Sequence, residues 1–138
     1  MAVLLASTLT ASAKKASIDE LKERLKNATR PDDRAKLAIQ IAEGQTDAAD
    51  KLFKQGKFDE GQKAVAEVAS FAQQAHDSAI VTGHRLKDIE ISVRKMAYRL
   101  TDMKRQLTFD EQAPVQAAID HLQNIRTDLL NHMFKADK

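Results

Sequence analysis

The chain has 138 residues, enough for one domain and too few for two ordinary ones. Aromatic residues make up 4 %, there is no Trp, and Gly and Pro are scarce while Ala, Leu, Lys, Gln and Asp abound. This argues for an all-α chain and against a sandwich or barrel. Cysteine is absent, which excludes disulfides, thiolate metal sites and a Cys nucleophile, and a formal net charge of +2 gives no bulk attraction to nucleic acid.

Residues 1–13 read MAVLLASTLTASA, an apolar run of small residues. Ala11-Ser12-Ala13 has the A-x-A form of a cleavage site, and Lys14 and Lys15 follow. The pattern predicts an export signal without its basic n-region. On that reading the protein is periplasmic or secreted and residues 14–138 form a single helical domain; otherwise it is cytoplasmic. The run is too short to span a bilayer, which takes about 20 apolar residues.

Ser17 and Glu20 fit a capping box, and Ile18, Leu21, Leu25 and Ala28 follow at helical spacing. A short first helix ending near Asn27 is expected. Pro31 suits a first helical turn, and Asp32 and Asp33 suit the positive end of the helix dipole. A second helix is expected from about Pro31 to Gln55, with Gly56 as its stop.

From Phe58 to Leu107 the apolar and small residues alternate at three and four without a break, a heptad pattern through Val65, Val68, Ala72, Ala75, Ala79, Leu86, Ile89, Val93, Met96 and Leu100. It predicts one long helix over about 58–107, roughly 75 Å end to end, with coiled-coil-like packing. Gly83 is its one weak point. Small seam residues precede it and large ones follow, so a break there, closing the halves into a four-helix bundle, is the alternative. Thr108 and Glu111 suggest a cap for a last helix, with Val115, Ala118, Leu122, Ile125 and Leu129 on its apolar stripe. Short connections make both flanking helices antiparallel hairpin partners of the long element.

The stretch from Ala49 to Gly61, with Phe53, Gly56 and Phe58 between them, resembles the A-x-x-x-[YF]-x-x-G-x-[YF]-x-x-A signature of a tetratricopeptide repeat. The resemblance covers about residues 42–75, has Gly61 where Ala is usual, and does not recur at the period a stable array needs. It implies a helical hairpin of the kind that binds peptides or proteins. Further on, His84-Arg85-Leu86-Lys87 resembles the H-x-L-K of histidine phosphotransfer domains, which would make His84 a phosphoryl acceptor on a helix surface. Asp88 stands where that family has Gly.

Neither a Glu-x-x-His nor a His-Glu-x-x-His pattern occurs, so no metal or other cofactor is expected, although a cofactor enclosed in the bundle is a further alternative. Lys87, Arg94 and Arg105 share one stripe of the long element; the acidic last helix, with Asp110, Glu111, Asp120 and Asp128, is expected to face this basic surface. Ile80, Ile91 and Tyr98 lie off the heptad seam. With Phe53 and Phe58 they form the candidate interaction surface. The sequence therefore reads as a non-catalytic helical interaction or scaffold protein, with a protein partner or self-association, no nucleic acid and no transmembrane segment.

Overall fold

The computed structural model describes residues 16–135, so the expected signal at 1–13 lies outside the described residues. They form five helices, α1 (Ile18–Asn27), α2 (Pro31–Lys54), α3 (Phe58–Thr82), α4 (Leu86–Arg105) and α5 (Phe109–Lys135), and no strand. The protein is an all-α bundle. No helix among them is long and apolar enough to cross a membrane.

Local chemistry sets the helix ends. The Ser17 hydroxyl accepts from the Glu20 amide at 3.2 Å and caps α1. At its other end Arg34 donates to the carbonyls of Leu25 and Ala28, the first of which also accepts from the Ala28 amide. Pro31 opens α2. Before α5, the Thr108 amide donates to the Glu111 carboxylate at 3.4 Å.

The expected unbroken helix over 58–107 is not formed. It ends at Gly83, which takes a left-handed φ of 71°, and restarts after Arg85, also left-handed at 62°. The reason is energetic. A straight spine would give each half of its seam a single hairpin partner, whereas folding at Gly83 brings the two hairpins together and buries Ala79 on one side and Ile89, Val93 and Leu100 on the other in one core. Asp32, in the first turn of α2, clamps the corner: it accepts from the Thr82 hydroxyl at 3.0 Å and contacts His84 Nδ1 at 3.1 Å.

Cross-helix contacts give the topology. Glu43–Ser92 and Asp47–Arg99 run α2 parallel to α4; Gln73–His121 and His76–Asp128 run α3 parallel to α5. The α2–α3 and α4–α5 pairs are antiparallel hairpins, as expected. The α2–α3 interface is the largest, while α3 and α4 share the smallest, although they adjoin in sequence, and α2 does not meet α5. The connection from Gly83 to Arg85 therefore crosses a diagonal of the bundle. Helix α1 lies over the outer groove of the first hairpin, its Lys22 paired with Glu67 of α3 at 3.0 Å and 5.5 Å from the Phe71 ring centroid.

Candidate interaction surface

The five residues singled out from the sequence do not make one surface. Phe53 and Phe58 meet at the α2–α3 turn, ring centroids 6.4 Å apart, where Gly56 takes a φ of 75°. Phe53 is half-buried on Gly61, and Phe58 is 38 % exposed. Ile80, near the end of α3, is half-buried against the core and so belongs to the packing rather than to a free face. Only Ile91 and Tyr98 share a stripe, seven residues apart on α4. Tyr98 is 68 % exposed.

Around Tyr98 the outer face of α4 and the adjoining face of α5 form a shallow groove of about 200 Å³. Arg94, Thr101, Asp102 and Arg105 line it from α4, and Gln123 and Arg126 from α5. Residues 94, 98, 101 and 105 fall at successive helical turns, so one stripe of α4 brings two arginines and the tyrosine to the rim. The antiparallel hairpin supplies the third arginine. Buried Glu90 fixes that arginine: Arg126 Nε donates to its carboxylate at 2.9 Å, and Arg94 Nε stands 3.8 Å from the same oxygen. Both arginines meet Glu90 through Nε, and among the described residues their terminal nitrogens make no other hydrogen bond. They can still grip a carboxylate in the two-pronged manner of guanidinium. The groove is smaller than the few hundred Å³ that enclose a small molecule, and suits side chains laid across it.

Sequence reasoning placed Lys87, Arg94 and Arg105 on one stripe and missed that Tyr98 shares it. It also missed Glu90, whose i,i+4 spacing to Arg94 was the available signal. The acidic last helix does not face the basic surface as expected. Arg99 instead pairs with Asp47 of α2, and Lys104 with Gln116 of α5, while Asp128 turns to His76 of α3 and to His132, 3.4 Å away.

His84 stands in the connection before α4, not on a helix surface, with its Nδ1 on Asp32. Hydrogen bonds from His84 and Thr82 hold the Asp32 carboxyl below the usual range, aided by the nearby charges of His84 and Arg85. A second hollow, between α1 and α2, contains Glu43 and Asp47, but Ser92 and Arg99 of α4 engage both carboxylates. No cluster of three potential metal ligands occurs among the described residues. The chain matches no protein-family model, no curated protein and no solved structure.

Proposed function

We propose that this chain is a non-catalytic interaction module whose α4–α5 groove binds an acidic segment of another protein. One observation carries the reading: an exposed tyrosine set in a groove with three arginines, one of them held by a buried carboxylate. Tyrosine and arginine dominate the energetics of protein interfaces, because both combine a large contact area with directional polar groups. Glu90 is paired with Arg126 below the rim and Asp102 stands 3.5 Å from Arg105, so three guanidinium groups against two carboxylates leave one net positive charge at the groove. An acidic side chain therefore meets a net attraction there. The N-terminal A-x-A pattern supports export, and on that reading the partner is met outside the cytoplasm.

The test is fluorescence titration of the full chain with a short labelled peptide of alternating Glu and Leu. Binding that weakens as salt rises, and falls roughly tenfold or more in Tyr98→Ala, is the expected result. Equal affinity in the wild type and Tyr98→Ala, or no binding at low salt, overturns the proposal.

A further inference from the structure

The corner between α3 and α4 combines three features that belong together. The heptad spacing runs through it without a phase change: Ala79, Thr82, Leu86 and Ile89 keep the three-four alternation that holds on both sides. A sequence that needed only a turn would be free to lose that phase. The connection is short and strained, two of its three residues being left-handed and one of these, Arg85, having a side chain. Finally, α3 and α4 share little interface with each other, and each is packed mainly within its own hairpin and against the opposite one.

We infer that the Gly83–Arg85 corner is a hinge through which two copies of this chain exchange their α4–α5 hairpins. In the exchanged form α3 and α4 join into one helix of roughly 75 Å. The α4–α5 hairpin of each copy then packs on the α2–α3 hairpin of the other. The α3–α5 contacts Gln73–His121 and His76–Asp128 and the α2–α4 contact Asp47–Arg99 re-form between chains with the same atoms. No new complementary surface has to arise, because the exchanged interface is the monomer's own. Straightening removes the left-handed strain at Arg85 and adds helical hydrogen bonds at the corner. Against this stand the Asp32 clamp on Thr82 and His84, which the straight helix loses, and the entropy of association. The balance sets a concentration-dependent monomer–dimer equilibrium, and the partner is a second copy of this chain.

Two substitutions drive the equilibrium in opposite directions. Gly83→Ala has open space for its Cβ and meets only the backbone penalty of the left-handed corner, while it favours the straight helix. It should raise the dimerisation constant on the order of a hundredfold, since two hinges convert per dimer. Arg85→Gly relieves the corner and weakens the straight helix, and should lower the constant. Light scattering during size-exclusion chromatography of the full chain reads both.

Because the chain has no cysteine, Gln73→Cys with His121→Cys places one thiol on each side of the α3–α5 seam, and a short bismaleimide can link them. Links between chains in the dimer fraction of Gly83→Ala are the expected result. Links confined within one chain in that fraction, or a Gly83→Ala protein that stays monomeric at millimolar concentration, overturn the exchange.

Discussion

The Phe53 ring lies directly over Gly61: a Cβ built on that glycine would stand 2.6 Å from the ring's Cε1. Gly61 lies in the first turn of α3, and its position under an aromatic ring marks a contact that α2 and α3 make nearly backbone to ring. Gly61→Ala must push the ring aside. Overpacking costs about 1–3 kcal/mol and the gain in helix propensity returns at most about 1 kcal/mol. Urea denaturation should show a net loss of about 1 kcal/mol, and Phe53→Leu in the same chain should recover it. A more stable Gly61→Ala would show that the ring swings out freely.

The Asp32 clamp sets a response to acid. Its carboxyl titrates below the ordinary value of 3.8 in the folded protein, so folding favours the ionised form. The stability this contributes is fully present above the ordinary value and disappears as pH falls through the lower, folded value. Asp32→Asn should therefore unfold at a lower temperature than the wild type near neutral pH. The gap between the two melting temperatures should close in strong acid. A gap that stays constant across the titration would mean that the carboxylate charge plays no part in the clamp.

The Glu90–Arg126 pair should respond asymmetrically. Arg126→Met leaves a buried carboxylate with only the more distant Arg94, and should destabilise the protein by about 2 kcal/mol, the scale of an unsatisfied buried group. Glu90→Leu with Arg126→Met replaces both ends by apolar groups and should regain most of that loss. Thermal melts of the single and double variants measure the difference. If the double variant is the worse, the pair stabilises in its own right.

Tyr98→Ala should change the stability read from a thermal melt by no more than about 0.5 kcal/mol, because the ring is largely in solvent. A larger loss would make Tyr98 a packing residue and remove the basis for the groove as a docking site.

Much of the helix layout was legible because it is written locally. Ser17, Pro31 and Gly56 mark α1 and α2 through capping and turn chemistry, which acts within a few residues. The corner at Gly83 was not legible in the same way. A continuous a/d pattern describes one long helix and two shorter ones that present the same stripe to a shared core equally well. Gly83 signals the break, but what decides it is tertiary: burial of both halves of the seam in one core and the contact from Asp32, fifty residues before Thr82. Separations of 52 and 36 residues in sequence likewise hid His76–Asp128 and Glu90–Arg126. Tyr98 was found because it breaks the seam pattern, whereas Ile80, which breaks it equally, is half-buried near the corner that the straight helix did not include.

The two hairpins are built from different materials. The buried faces of α2 and α3 are mostly alanine, with Ala35, Ala38, Ala42, Ala49, Ala64, Ala72, Ala75 and Ala79 at or near zero exposure, while α4 and α5 bury Leu100, Leu122, Leu129, Met96 and Met103. Alanine has no rotamers to freeze and lets backbones come close, so the first hairpin orders at little entropic cost and tolerates almost no change in volume. The second relies on larger side chains, two of them unbranched thioethers that fill irregular gaps and re-pack easily. One side of the bundle is therefore built as a stiff, incompressible block and the other as a deformable one. Mechanical or thermal stress should reach the Tyr98 face before it reaches α2.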